Sequence, residues 1–243
     1  MRRIFADLHL RVNTKDQQAT KQVSGRAAQM GYGLISIPFT SGVQEEEINK
    51  IRVICSDFGL DFVSRLDLYP RNENDLTHFL RKYRRKFEIL SVSCDNKDIA
   101  RQAAKDRRVD LLTFNSIDYR KRFFDRAEAQ LATSSLAVLE IDVKPLLLLE
   151  GPSRVRFLAT LRREVSIAEE FNVPIVLSSG VGEGRLMRRP KDLASLAYLF
   201  GMEDSSALDS VSMLPYSIIR RNRAKLNEHY VAPGIVQIKE GKT

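Results

Sequence analysis

Residues 173–178 read VPIVLS, a short apolar run that ends in the polar turn Ser178-Ser179-Gly180. An apolar run of this length without alternation is typical of a parallel strand that helices cover on both faces. Pro190 then opens a helical stretch that stops at Gly201, because proline suits a first helical turn and glycine suits a left-handed end. Residues 173–201 are therefore predicted to form one strand–helix unit.

The same alternation of strand-like and helix-like segments repeats along nearly the whole chain. Further helices are predicted at residues 14–30, 42–58 and 152–171. Strand followed by helix, seven or eight times over, implies parallel strands joined by right-handed crossovers. For 243 residues this predicts an α/β fold, a TIM-like (β/α) barrel of seven or eight parallel strands, regular or distorted. The strands are predicted at residues 3–7, 33–38, 60–67, 88–93, 109–114, 136–142 and 173–178, with a weaker eighth at 209–213.

Length and composition indicate one soluble domain. No flexible linker divides the chain, so we predict a single barrel domain at 1–228 and a C-terminal tail at 229–243. No apolar run approaches the roughly 20 residues of a membrane span, and no secretory signal is expected at the N-terminus. Cys55 and Cys94 form no C-x-x-C pair and are expected to be reduced thiols, which favours a cytoplasmic protein with no membrane partner.

The charge balance favours a polyanionic partner. The formal net charge is +8, and 26 arginines stand against 13 lysines. Arginine binds phosphate through two parallel hydrogen bonds and stacks on bases. One basic cluster is usually a solvated helix face, but six clusters on one domain favour a polyanion. The clusters lie at residues 81–86, 101–108, 120–122, 154–163, 185–191 and 220–225.

The first predicted strand ends in a sequence that is one residue away from a metal-binding pattern. Residues 7–11 read DLHLR, with Arg11 where a second histidine would be needed to share a metal ion with His9. A fixed positive charge there would repel a cation. The other histidines, His78 and His229, lie far along the chain. We therefore predict no multinuclear metal site and no catalytic residue, although a carboxylate-only magnesium site remains open.

The loop after the seventh predicted strand is a candidate phosphate site. Residues 180–185 read GVGEGR and precede Pro190, where barrel enzymes often bind phosphate. Three glycines would leave backbone N–H groups free to form an anion nest. The loop matches neither a dinucleotide fingerprint nor a P-loop, and a flexible turn with solvated arginines is the alternative interpretation.

Several segments together resemble the ribonuclease P protein component 3 family, the barrel subunit of archaeal and eukaryotic ribonuclease P. The similarity runs in order from about residue 3 to 226, and the serine–glycine turn followed by M-R-x-P-x-D-L is its most specific part. The matching segments are FADLHLR at 5–11, VDLLTF at 109–114, LEI at 139–141, PIVLSSG at 174–180, MRRPKDL at 187–193, and PYSII at 215–219 with Asn222.

The resemblance implies a fold related to the polymerase-and-histidinol-phosphatase metalloesterases without their metal site, and no cofactor bound by the protein. It implies that a catalytic RNA, which requires magnesium, removes the 5′ leader of precursor tRNA. The implied partners are that RNA, ribonuclease P protein component 2, other ribonuclease P proteins and the precursor tRNA. RNA contacts are expected from arginines that follow predicted strands. These are Arg11, Arg65, Arg120, Arg185, Arg188 and Arg189. A structural or vestigial barrel-mouth site is expected from Asp7, His9, Glu140, Ser178 and Ser179.

Three alternatives remain at the level of sequence. The chain could be a metal-dependent phosphoesterase that works alone, or an RNA-binding module outside ribonuclease P. For Arg11, the sequence favours equally an RNA contact and an ion pair with Asp7, Glu140 or Asp142.

Overall fold

Parallel strands form one sheet in the order of the sequence, and helices cover its outer face. The computed structural model describes residues 3–114, 118–122, 124–227, 229–232 and 235–236. Within these residues the sheet has seven strands that curve into a nearly closed TIM-like barrel, as the sequence predicts. The strands are β1 (Ala6–Asp7), β2 (Leu34–Phe39), β3 (Asp61–Leu68), β4 (Ile89–Ser93), β5 (Leu111–Thr113), β6 (Val138–Asp142) and β7 (Ile175–Ser178).

The helices alternate with these strands, and local capping explains their limits. Asp16 accepts a hydrogen bond from the backbone of Ala19 at the start of the first helix, and Gly31 ends it with φ of 94°. The α-helices are α1 (Gln17–Met30), α2 (Glu45–Asp57), α3 (Glu73–Tyr83), α4 (Lys97–Lys105), α5 (Arg126–Ser135), α6 (Lys144–Leu148), α7 (Gly151–Glu170), α8 (Pro190–Leu196), α9 (Asp204–Ser210) and α10 (Met213–Leu226). Short 3-10 helices lie at Tyr119–Lys121, Gly184–Leu186 and Ala197–Phe200, and β8 (Tyr230–Ala232) pairs with β9 (Ile235–Val236).

The barrel interior has an apolar layer at the N-terminal ends of the strands and a polar layer above it. Side chains two residues apart on a strand share a face, so the layer changes from Val63 to Arg65 on β3 and from Val138 to Glu140 on β6. Ile218 and Ile219 of α10 pack into the apolar layer and close that end of the barrel. The other members of this layer are Ala6, Leu8, Leu34, Ile89, Leu111 and Val176.

The predicted eighth strand at 209–213 is wrong. This segment contains the end of α9 and the first residue of α10, and Val211 contributes one backbone hydrogen bond, from the N–H of Ala6 at 2.9 Å. Pro215 lies in the first turn of α10, a position that favours a helix over a strand. The barrel is therefore completed by α10 rather than by another strand.

Backbone contacts beyond β1 and β7 bring the two edge strands together. The N–H of Gly180 donates to His9 at 3.0 Å, and the N–H of Arg11 donates to Val181 at 2.9 Å. The Asp7 carboxylate accepts a bond from the backbone of Ser179 at 3.0 Å. The residues that follow each strand thus join the barrel at its C-terminal mouth.

Other predictions about the chain have mixed outcomes. Cys55 and Cys94 are free and buried, in line with reduced thiols. No helix within the described residues is long and apolar enough to cross a bilayer. The proposed boundary at 228/229 remains a prediction, and residues 237–243 of the tail lie outside the described part of the chain.

Candidate functional site: a buried charge chain at the barrel mouth

Arg65 occupies the centre of the barrel and has no exposed surface. Its two terminal nitrogens each donate to one oxygen of Glu140 at 2.6 Å, which is the two-pronged geometry that makes arginine–carboxylate pairs strong. Its Nε donates to Asp67 at 2.6 Å, and the carbonyl of Leu8 and the hydroxyl of Ser91 accept further bonds. The guanidinium is therefore fully used inside the protein.

Both carboxylate oxygens of Glu140 are also fully hydrogen-bonded. Its Oε1 accepts a second hydrogen bond from Ser178 at 2.6 Å, and its Oε2 accepts one from Thr113 at 2.9 Å. The hydroxyls of Ser91 and Thr113 also lie 2.6 Å apart. The carboxylate thus has two donors on each oxygen, which offsets the cost of burying its charge.

His9 lies between two carboxylates. Its Nδ1 is 2.9 Å from Asp142, and its Nε2 is 3.3 Å from Asp67. Burial and Arg65 lower the pKa of His9, but Asp142 and Asp67 outweigh them and raise that pKa from 6.5 to about 9. His9 is therefore an imidazolium at neutral pH and donates to both carboxylates. The Nε of Arg11 lies 3.1 Å from Nε2 of His9. Because both atoms carry a proton when His9 is an imidazolium, this is a close contact between two donors and not a hydrogen bond.

These groups form a chain of alternating charges from the barrel centre to its surface. Arg11 ends the chain, with one terminal nitrogen 3.5 Å from Asp142 and a side chain that is 41% exposed. Three cations balance three carboxylates, so the chain carries no net charge. Its members, from the inside outward, are Glu140, Arg65, Asp67, His9, Asp142 and Arg11.

The residues at this site do not fit a catalytic metal ion. His9, Glu140 and Asp142 each offer an atom within 4.8 Å of the others, which makes them the candidate ligand set. The oxygens of Glu140 are taken by Arg65, Ser178 and Thr113, and His9 already bonds Asp142. A metal ion would have to displace a guanidinium from a fully buried carboxylate, so these residues do not form a suitable metal site.

The carboxylate of Asp7 connects the end of β1 to the turn after β7. Its Oδ1 accepts bonds from the backbones of His9 and Ser179 at 3.1 and 3.0 Å, and its Oδ2 accepts none among the described residues. Burial raises the pKa of Asp7 above its ordinary value, against the lowering effect of the bonds from Ser179. The hydroxyl of Ser179 accepts from Val181 at 3.3 Å, as expected for a turn-stabilising serine.

The glycine loop is built for close packing, which argues against a free anion nest. The N–H groups of Gly180 and Val181 already donate to His9 and Ser179. A Cβ on Gly180 would lie 2.8 Å from Cγ of Asp142, and one on Gly182 would overlap the carbonyl oxygen of Arg11. These two glycines therefore allow the loop to approach the charge chain and the end of β1.

The predicted RNA-contact arginines separate into buried and exposed groups. Arg65 has no exposed atoms, so the prediction that it contacts RNA is wrong; a strand-end position does not reveal that its side chain points inward. Arg188 is partly buried and donates to three nearby backbone carbonyls, the nearest, of Met187, at 3.0 Å. Arg185 is exposed and paired with Glu183 at 2.6 Å, and Arg120 and Arg189 are also exposed.

The sequence alone does not predict which buried side chains bond Arg65 and Glu140. It marks Asp67 only as the end of a strand, and it does not single out Thr113 or Ser91. A usable signal lies in the two-residue period of a strand, which places Asp67 on the same face as Arg65 and Asp142 on the same face as Glu140.

Fold and site together define a class: a TIM-like (β/α) barrel in which arginine and histidine cations balance the carboxylates at the mouth. The family model described as "RNase P subunit p30" matches residues 4–227. The chain belongs to this family and is thus a ribonuclease P protein subunit that functions in tRNA processing.

Individual relatives agree with this assignment. "Ribonuclease P protein component 3" of Methanosarcina barkeri is 27% identical over 98% of this chain and 97% of its own length, and that of Methanocaldococcus jannaschii is 22% identical over 86% and 90%. A chain in the cryo-EM structure of archaeal ribonuclease P with mature tRNA shares the fold, with a TM-score of 0.81 and 20% identity. The match covers 98% of this chain and 100% of that chain. An amidohydrolase from Mycoplasma synoviae has a related fold, with a TM-score of 0.57 and 10% identity. The match covers 88% of this chain and 87% of the amidohydrolase.

Proposed function

We propose that this subunit performs no bond cleavage itself and supports a catalytic RNA that removes the 5′ leader of precursor tRNA. The observation that carries the proposal is the bidentate pair between Arg65 and Glu140. It places an organic cation where a metal-dependent barrel enzyme would need an available carboxylate. The magnesium requirement then belongs to the RNA-based holoenzyme, and the protein binds no cofactor.

The proposed partners follow from the family. They are the catalytic ribonuclease P RNA, ribonuclease P protein component 2, other ribonuclease P proteins and the precursor tRNA, and the proposed location is the cytoplasm. The relative in the cryo-EM structure was solved with mature tRNA, which supports a tRNA-bound assembly.

The proposed RNA contacts in the segments that follow β5 and β7 are Arg120, Arg185 and Arg189, which are exposed. Arg11 and Arg188 contribute partly exposed edges but also hold local structure. Arginines bring phosphates together by offsetting their repulsion and displacing condensed counterions. A barrel holds such cations at fixed separations, which suits recognition of one folded RNA.

Reconstituted holoenzyme tests this proposal. The double change Arg185→Glu and Arg189→Glu should leave the thermal midpoint unchanged and reduce precursor-tRNA cleavage most at low magnesium, because magnesium can replace the missing cations. We omit Arg188 because its carbonyl contacts would mix structural and RNA effects. The matched control is Lys50→Glu with Arg52→Glu, the same charge change on the exposed face of α2.

Two results would contradict the proposal. Equal loss of activity in the two double variants would mean that net charge alone matters. Recovery of the tagged protein from cells with no dominant structured RNA would favour a module outside ribonuclease P.

A further inference from the structure

We propose a second RNA-phosphate site at the N-terminal end of the barrel, in a basic cavity that none of the arginines proposed above lines. The inference rests on the proposed function in taking RNA as the polyanion. The cavity has a volume of about 530 Å³. Its cationic and aromatic lining residues are Arg84, Arg85, Arg107, Arg108, Lys225 and Tyr230.

The position of the cavity follows from the barrel topology. Arg84 and Arg85 lie shortly before β4, Arg107 and Arg108 lie shortly before β5, and Lys225 lies in the last turn of α10. Asn222 of α10 donates to the carbonyl of Glu88 at 2.8 Å and to Asp110 at 2.8 Å, which attaches this helix to the same end of the barrel. The strand β3 has eight residues, which corresponds to roughly 25 Å along the strand at the usual rise.

Acidic groups balance only part of this charge. Arg84 bonds Asp110, which also accepts from Arg221, and Arg108 forms a pair with Asp106 at 2.7 Å. The other three cations, Arg85, Arg107 and Lys225, are exposed, and none of them forms an ion pair with an acid within the described part of the chain. The described residues that line the cavity include no carboxylate. The floor is therefore fixed by paired arginines, and the rim offers unbalanced cations.

The cavity chemistry matches a nucleic-acid backbone. A guanidinium group binds two phosphate oxygens through parallel hydrogen bonds, and Arg85 and Arg107 are exposed at the rim for such contacts. The half-buried Tyr230 offers a ring for an unstacked base. Burial and then Arg221 lower the pKa of Lys225, so a bound phosphate would relieve a repulsion already present there. At roughly 30 Å³ for each water molecule, the cavity has room for a phosphate with its flanking sugar.

The test compares two charge-reversed proteins in reconstituted holoenzyme. The first is Arg85→Glu with Arg107→Glu, and the matched control is Lys50→Glu with Arg52→Glu. We measure binding of the holoenzyme protein set to the catalytic RNA across a salt series. The first variant should reduce the slope of log affinity against log salt by about two, one for each phosphate that is no longer neutralised, while the control keeps the wild-type slope. Both pairs are exposed, and a circular dichroism melt checks that the fold is retained.

A footprint locates the contact directly. Because Cys55 and Cys94 are buried, an Asn227→Cys protein carrying Fe(II)-EDTA should cleave the catalytic RNA at one discrete segment. Equal salt slopes in the two variants, or no cleavage from position 227, would overturn the inference. Failure of the wild-type protein to bind the RNA would instead overturn the proposed function. Dissociation of another protein subunit with an unchanged RNA slope would reassign the cavity to a protein partner and overturn the inference.

Discussion

At the scale of single residues, Arg65 carries the electrostatic stability of the barrel centre. Arg65→Met would leave the fully buried Glu140 and the nearby Asp67 without their main cation. Breaking a buried pair by removing one partner costs roughly 3–5 kcal/mol, so the free energy of unfolding in urea should fall by about that amount. Ser178 and Thr113 still donate to Glu140, but neutral hydroxyls do not replace a positive charge.

A double-mutant cycle separates this pairing from simple packing. Arg65→Met combined with Glu140→Gln should cost less than the sum of the two single changes, because neither then leaves the other's charge unbalanced. Strictly additive costs would show that Arg65 and Glu140 do not stabilise each other.

His9 makes the stability of the fold depend on pH. Burial and Arg65 lower its pKa in the folded chain, but Asp142 and Asp67 outweigh them and raise the pKa from 6.5 to about 9. A raised pKa means that the folded state binds the proton more tightly. The stabilisation is therefore complete below pH 6.5 and is lost as the pH rises through about 9, with a magnitude on the order of 3 kcal/mol.

Urea unfolding at a series of pH values on both sides of this window measures the dependence. His9→Gln should be less stable than the wild type at the acidic end of the series. It should also lack most of the decline in stability between pH 6.5 and about 9. A decline of the same size in the variant would assign it to other groups.

At the scale of elements, the loop from Gly180 to Gly184 shows how the sequence closes the barrel. Gly182→Ala would place a methyl group on the carbonyl oxygen of Arg11, whereas Gly184→Ala would meet Cγ and Cβ of Arg26 at ordinary distances of 3.7 and 4.0 Å. Overpacking typically costs roughly 1–3 kcal/mol, so thermal unfolding should show that loss for Gly182→Ala and almost none for Gly184→Ala. Equal stability of the two variants would mean that the β7 loop does not need its close approach to β1.

The elements also show what the sequence could predict. Seven strands and the helices at 14–30, 42–58, 152–171 and 190–200 follow from apolar runs, proline starts and glycine stops, which are local signals. Two errors arise where local signals conflict with tertiary structure. Val211 and Met213 alternate as a strand would, yet Pro215 lies in the first turn of a helix. The sequence predicts Arg65 at the end of a strand, yet it lies within β3 and points into the barrel. The basic clusters are visible in the sequence, but the cavity requires knowledge of which clusters share one end of the barrel.

At the scale of the whole molecule, the buried charge chain at the mouth is internally neutral, whereas the surface is strongly basic. The charge chain at the mouth has three cations for three carboxylates, so the net charge of +8 must reside elsewhere. In the proposed function, exposed arginines at both ends of the barrel would contact two segments of a folded RNA. The barrel would then supply the rigidity of the site, and the surface cations its affinity.

The pairing of Glu140 with Arg65, and of Asp142 with His9 and Arg11, also predicts that the purified subunit is inert. In millimolar magnesium or manganese, the protein alone should hydrolyse neither generic phosphoesters nor precursor tRNA, whereas addition of the catalytic RNA and the other subunits should restore cleavage. Manganese should not raise the thermal midpoint, because a ligand stabilises only a fold that binds it. Steady turnover by the protein alone that Asp142→Asn abolishes would contradict this prediction, since it would mean that a metal ion displaces Arg65 and Arg11 from the carboxylates of the mouth.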